Sequence, residues 1–254
     1  MNITEESLDV LVGSTFLLFT VPGLIVYTMF NVAVLKSPEF RSQSYFILAV
    51  AMGIPECINL ATIAFFRAPS IYRRGAVGGE MGARIAAFSG ASTFIMTMPI
   101  TVALAFNRYY SLFNRYKLKS MFCKQNLVMF IAICYVLGLM FGVSAGFCCD
   151  LVEACKWFPL TYGINETLGA MNALINFFAP MITAAICVVL NMFVFVKYRK
   201  MHREMANSSE NEKKRTEREF RLFIQFFVIV LWPYFQLLYF MIRKAYPKAT
   251  SLSK

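Results

Sequence analysis

The sequence carries little charge for its length. Asp, Glu, Lys and Arg together make up 15% of its 254 residues, while hydrophobic residues make up 58%. Soluble globular domains have about 25% charged and about 45–50% apolar residues. This shortage of charge excludes an ordinary soluble domain, and the position of the apolar residues becomes the main question.

Histidine is almost absent, which restricts the chemistry open to the chain. The one histidine, His202, lies in a charged segment, and the only close group of cysteines lacks the spacing of a metal site. No Ser/His/Asp set can be assembled from such a sequence. The glycines at 75, 78, 79 and 82 match neither a dinucleotide-binding motif nor a phosphate-binding loop. We therefore predict that the protein is not an enzyme and holds no metal and no cofactor.

Six long apolar blocks account for the excess of hydrophobic residues. A helix needs about 20 apolar residues to cross the roughly 30 Å hydrocarbon core of a membrane. The blocks that reach this length cover residues 10–35, 44–66, 85–106, 127–147, 168–196 and 220–242. They predict an all-α, polytopic membrane helix bundle that forms one transmembrane domain over residues 1–254.

Lys and Arg are concentrated in alternate segments between the blocks. Most of the 25 lie after the first, third and fifth blocks, which predicts that these segments are cytosolic and that the N-terminus is extracellular. Asn2 and Asn165 begin glycosylation sequons that are extracellular in this orientation, whereas the sequon at Asn207 is cytosolic. The net charge of +11 then serves orientation and contact with acidic membrane lipids, and no nucleic-acid partner is predicted.

Three cysteines lie close together in the segment between the fourth and fifth blocks. An extracellular segment is oxidising, so Cys148 or Cys149 can form a disulfide with Cys155. The alternative is that all three thiols remain free or become acylated.

Glu56 is the one carboxylate within the six blocks, and Asn59 shares its helical face. An ionisable group within a membrane span is costly and is a functional candidate by default. Two interpretations stay open. The pair is either a polar site that couples a ligand to helix movement, or a protonated acid that hydrogen-bonds neighbouring helices.

The segment "LAFNRYYSLFNRY" at residues 104–116 contains Asn-Arg-Tyr twice. Arg108 follows the third apolar block directly, at the cytosolic end of the predicted helix, while Arg115 lies in the following basic segment. On residues alone, either arginine can be a simple anchor whose charge reaches the aqueous interface.

The first triplet, Asn107, Arg108 and Tyr109, resembles the motif at the inner end of the third helix in rhodopsin-like G-protein-coupled receptors. "AFNRYYSLF" (105–113) and "EREFRLFIQFF" (217–227) are similar to segments of nematode serpentine chemoreceptors. Pro180 and Pro233 match the prolines that kink the fifth and sixth helices of such receptors. The resemblance implies a seven-helix architecture at the plasma membrane and an external small-molecule or peptide ligand. It also implies a heterotrimeric G protein as partner and Arg108 as the activation switch.

The sequence also departs from that pattern. Ile54 occupies the expected place of an aspartate in the second helix, and the chain has no seventh apolar block. Two alternatives therefore accompany the receptor hypothesis: a six-helix channel or secondary transporter, and a truncated receptor that does not signal. Oligomeric state is not predicted.

Overall fold

A computed structural model describes residues 5–73, 75–148, 151–152, 161–162 and 167–204. Long helices dominate this part of the chain, and shorter helices and one strand pair connect them. The helices are α1 (Glu5–Lys36), α2 (Pro38–Arg41), α3 (Ser44–Thr62), α4 (Ala68–Arg73), α5 (Gly79–Phe113), α6 (Arg115–Met121), α7 (Lys124–Val143) and α8 (Thr167–Glu204). The strands are β1 (Leu151–Val152) and β2 (Thr161–Tyr162).

Within the described residues, five helical segments are long and apolar enough to cross a membrane. They are Asp9–Lys36, Ser44–Arg73, Gly79–Ser111, Lys124–Cys148 and Phe178–Lys200. The first five predicted blocks are confirmed as helices, and the membrane-bundle class is correct. The sixth predicted block, at 220–242, lies outside the described residues.

Each of the five helices extends beyond the apolar block that predicted it. The second block was expected to end at residue 66, but a π-helical turn, Ile63–Arg67, joins α3 to α4 and carries the helix to Arg73. The third helix begins at Gly79, whereas its block began at residue 85. Helices continue past the hydrocarbon boundary because polar residues also form backbone hydrogen bonds in a helix, so hydropathy alone sets a minimum length.

The third spanning helix, α5, occupies the centre of the bundle and contacts α3, α7 and α8. Half of the residues in the most apolar stretch of α5 are buried, compared with 11% of those in the corresponding stretch of α1. The buried core lies where these four helices meet, and its largest fully buried side chains are Leu48, Ile100, Leu104 and Cys187. The exposed apolar side chains on the outer faces of the helices are suited to contact lipid.

A stripe of glycines on α7 and its π-helical extension allows that helix to pack closely against α5. A Cβ atom at Gly138 would lie 2.9 Å from the backbone oxygen of Ser92, and one at Gly142 would lie 3.0 Å from that of Phe88. At Gly146 the corresponding distance to the backbone oxygen of Arg84 is 2.9 Å. Small residues at such spacing bring two membrane helices into backbone contact.

Two connections on the side of the bundle opposite α6 have ordered structure. Gly78 and Gly79 adopt positive φ angles of 79° and 63° and form the turn that starts α5. Beyond α7, Leu151 pairs with Tyr162 and Val152 with Thr161 in a short antiparallel ladder. This pair does not change the all-α class, and it was not predicted because two residues per strand leave no alternation of polar and apolar residues to detect.

Candidate functional site

Among the described residues, Arg108 is the one buried cation. Its side chain is only 7% exposed, near the end of α5. The guanidinium carbon lies 3.7 Å from the centroid of the Tyr45 ring, which belongs to the first turn of α3. An arginine stacked on an aromatic face in this way gains a cation–π interaction. An anchor that extends to water would be exposed, so the geometry favours a specific role for Arg108.

Asn107, the residue before Arg108, also connects α5 to the start of α3, and we call this contact region the Arg108 junction. Its amide Nδ2 donates a 2.8 Å hydrogen bond to the hydroxyl of Ser44, and the Asn107 side chain is 4% exposed. Asn107 and Arg108 therefore both contact the start of α3. The sequence indicated the triplet but gave no sign that its contacts would be with Ser44 and Tyr45.

Tyr109 faces a different neighbour. Its ring stacks on that of Phe113 at 4.4 Å and meets Phe193 of α8 edge-on at 6.5 Å between ring centroids. The first triplet thus connects α5 to α3 through Asn107 and Arg108, and to α8 through Tyr109. Three of the five spanning helices are held together at this level.

The second triplet, at residues 114–116, has a separate, local role. The α5 helix ends at Phe113, and Asn114 takes the N-cap position of α6, where its side-chain oxygen accepts a 3.0 Å hydrogen bond from the backbone N–H of Lys117. Tyr116 is 84% exposed. The helix is therefore broken between the two triplets, and their arginines do not share one continuous helical face.

A pocket of about 370 Å³ opens beside Arg108, and we call it the Arg108 pocket. It is lined by residues 42–45, by Asn107, Arg108 and Ser111 of α5, and by Leu118, Lys119 and Phe122 in and after α6. None of these residues is acidic. The end of the bundle that carries the first triplet thus combines a buried cation with an open, polar cavity.

Comparison with known proteins identifies the family of the chain. The sequence model of the serpentine type 7TM GPCR chemoreceptor Srx family matches residues 17–250. The chain belongs to this family. Its structure is also similar to the crystal structure of squid rhodopsin, with a TM-score of 0.69 and 13% sequence identity over 91% of this chain and 69% of that chain. At this identity the likeness shows a shared fold. The comparison with curated protein sequences gives no match.

The polar pair inside the second spanning helix of this Srx-family chain is also in contact. The Asn59 side chain lies within hydrogen-bonding reach of the half-buried Glu56 carboxyl group. On one side of the pair, Cys57 accepts a hydrogen bond from Asn31 of α1 at 3.6 Å. On the other side, the backbone oxygen of Pro55 accepts from Thr93 of α5 at 3.2 Å. Glu56 and Asn59 therefore lie on the face of α3 between its contacts with α1 and α5.

Most of the remaining predicted site residues lie outside the described part of the chain. Pro180 is buried inside α8, whereas Pro233, Asn2 and Asn165 lie outside the described residues. Among the described residues the Cys148 thiol is free and exposed, and the disulfide of Cys148 or Cys149 with Cys155 stays a prediction. Cys149 and Cys155 also lie outside the described residues. Among the described residues, no group of three or more His, Cys, Asp and Glu side chains could hold a metal ion.

The second spanning helix also contains Arg67, a position that no sequence pattern predicted. Arg67 directly follows the second apolar block, but the π-helical turn keeps it in the helix, and its Nη2 donates to the backbone oxygen of Ala86 on α5 at 3.0 Å. A Cβ atom at Gly90 would overlap the Arg67 guanidinium, so that glycine makes room for the cation. Nothing in the sequence links Arg67 to Gly90, because the contact depends on how the second and third spanning helices pack.

Proposed function

We propose that this Srx-family protein is a plasma-membrane chemosensory receptor with an extracellular N-terminus. It binds an external small molecule or peptide and signals through a heterotrimeric G protein. The matched family is described as one of chemoreceptors, and this supports a receptor over a channel, a transporter or an enzyme. In this orientation the end of the bundle that carries Arg108 faces the cytosol.

The observation that carries the proposal is the burial of Arg108 against Tyr45. The cation–π contact with Tyr45 favours the arrangement in which Arg108 is enclosed between α3 and α5, because it offsets part of the cost of burying the charge. Movement that separates these helices at the cytosolic end would release the guanidinium toward a partner. A planar guanidinium is well suited to bind the carboxylates and carbonyl groups of that partner. Two arrangements with different exposure of one charge are the minimum requirement for a switch.

The ligand would bind in the opposite half of the bundle, which in this orientation opens to the outside. Glu56 and Asn59 lie between that half and the Arg108 junction, and we assign them the coupling role that their shared face permits. Pro180 and Pro233 would provide the bends about which the fifth and sixth helices move.

A comparison of two arginine variants tests the coupling role. We expect Arg108→Ala to lower G-protein activation about fivefold or more, whereas Arg115→Ala, in the second triplet, leaves it unchanged. The measurement is ligand-independent nucleotide exchange in transfected cells, normalised to receptor at the cell surface. Equal effects of the two substitutions would show that both residues act only as anchors.

The orientation has an independent test. Deglycosylation should increase the electrophoretic mobility of the wild-type protein, and removal of the sequons at Asn2 and Asn165 should abolish that change. Modification at Asn207 instead would place the Arg108 end outside the cell and overturn the proposal.

A further inference from the structure

We propose that the Arg108 pocket binds a phosphate group. This inference names a ligand for the proposed coupling site, and only the assignment of the pocket to the cytosolic face rests on the proposed function. The pocket itself is defined by the contacts between residues 42–45, α5 and α6.

The charge of the pocket carries the argument. Two of its lining residues, Arg108 and Lys119, are cations, and none is Asp or Glu. Arg108 is almost fully buried, and burying its charge costs free energy. An anion beside the guanidinium would offset part of that cost. Lys119 is exposed at the edge of the pocket, where a long ammonium side chain can reach a ligand.

The hydrogen-bonding groups fit an acceptor-only ligand. The hydroxyl of Ser42 donates to the backbone oxygen of Glu39 at 2.7 Å, and that of Ser111 donates to the backbone oxygen of Arg108 at 2.8 Å. Donors on the lining therefore come from Arg108, Lys119, the amide of Gln43 and the hydroxyl of Ser44, which accepts from Asn107 and keeps its own proton. Charged donors of this kind make short, strong bonds to phosphate oxygens, and a guanidinium can bind two of them at once.

Size and charge favour phosphate over a simple carboxylate. A volume of about 370 Å³ lies within the range of small-ligand pockets and admits a phosphate together with part of the group it esterifies. Two cations match the dianion of a phosphomonoester better than a single negative charge. The phosphate could belong to a lipid headgroup of the cytosolic leaflet or to a soluble phosphate, and both present the same chemistry.

Binding would affect the proposed switch directly. A phosphate held between Lys119 and Arg108 would connect α6 to the junction of α3 and α5. It would therefore stabilise the arrangement in which Arg108 is enclosed, by the linkage between ligand binding and conformation.

The test uses the full-length receptor purified in detergent or reconstituted in lipid nanodiscs. Thermal unfolding is followed in detergent with sodium phosphate or with sodium chloride at equal ionic strength. A parallel series uses nanodiscs of phosphatidylcholine with or without phosphatidic acid, a lipid whose headgroup is a bare phosphomonoester. The variants are Lys119→Gln and, as matched control, Lys117→Gln, an exposed lysine on the same short helix that does not line the pocket.

We expect a ligand-dependent rise in the unfolding temperature of the wild type and of Lys117→Gln. For Lys119→Gln we expect about tenfold more ligand to be needed for the same rise, because one charge-assisted contact is lost. A rise with phosphate alone identifies a soluble phosphate as the ligand, and a rise only with phosphatidic acid identifies a lipid.

The absence of any rise, or an equal loss in the two lysine variants, would overturn the proposal. These results are independent of the signalling test. Phosphate binding can fail while the Arg108→Ala effect on coupling remains, and the protein can bind phosphate without coupling to a G protein.

Discussion

The side-chain amide of Asn107 donates a 2.8 Å hydrogen bond to the hydroxyl of Ser44, across 63 residues of sequence. This bond joins α5 to the first residue of α3, at the level where Arg108 stacks on Tyr45. Polar contacts of this kind between membrane helices hold them in register because the buried groups have few other partners.

The Asn107–Ser44 bond should be measurable as a coupling energy. In a double-mutant cycle of Asn107→Ala and Ser44→Ala, we expect the free energies of unfolding to be non-additive by about 1 kcal/mol. Thermal unfolding of the four purified proteins provides the measurement. Ser111→Ala replaces Ser44→Ala in the control cycle, since Ser111 donates within its own helix. Additivity in the first cycle would show that the bond contributes nothing.

Tyr45 should hold Arg108 in its enclosed position. Tyr45→Leu removes a cation–π interaction of about 1–2 kcal/mol at a desolvated site, so ligand-independent G-protein activation should rise severalfold. Tyr45→Phe keeps an aromatic face and should behave like the wild type. If the leucine and phenylalanine variants signal alike, the aromatic face is not what restrains Arg108.

Asn114 should matter for α6 alone. Replacement by Ala removes the side-chain acceptor at the N-cap and should destabilise the short helix by about 1 kcal/mol. Hydrogen–deuterium exchange should then become faster in residues 115–121 and remain unchanged in α5. Asn114→Asp, which keeps the acceptor, serves as the control. Faster exchange throughout α5 would contradict a purely local cap.

Gly142 should tolerate no side chain. A methyl group there would lie 3.0 Å from the backbone oxygen of Phe88 and would overlap the Ser92 hydroxyl, so α7 must move away from α5. We expect Gly142→Ala to cost about 1–3 kcal/mol and to reduce the yield of monodisperse receptor. Gly23→Ala is the matched control, because its methyl group would meet only the end of the Leu60 side chain at 3.6 Å. Equal yields and unfolding temperatures for the two variants would refute the close-packing argument.

Asn191 of α8 is a candidate for stabilisation. Its side chain is 2% exposed, and neither amide atom has a hydrogen-bond partner within the described part of the chain. Replacement by Leu removes a buried polar group that gains nothing in this arrangement, so the free energy of unfolding should rise by about 1 kcal/mol. Thermal unfolding tests this directly, with Asn172→Leu as the contrast. Asn172 is bonded to Ser144 at 3.2 Å, and its loss should destabilise the protein. A lower unfolding temperature for Asn191→Leu would contradict the prediction.

The class of this protein and the position of its first five spanning helices follow from local properties of the amino-acid sequence. Length and continuity of apolar residues are local properties, and a membrane helix satisfies its own backbone hydrogen bonds, so no distant contact is needed to specify it. The motif at residues 107–109 was equally visible, because family resemblance is carried by neighbouring residues.

Tertiary structure decided what the two Asn-Arg-Tyr copies do. They are identical in sequence, yet Asn107 reaches Ser44 on another helix, whereas Asn114 caps the helix that follows it by accepting from Lys117, three residues on. Only the approach of α3 to α5 encloses Arg108, forms the pocket with Lys119 and directs Arg67 toward Gly90. Such contacts depend on helix rotation and on the glycine-mediated distance between helices, which hydropathy and composition do not contain.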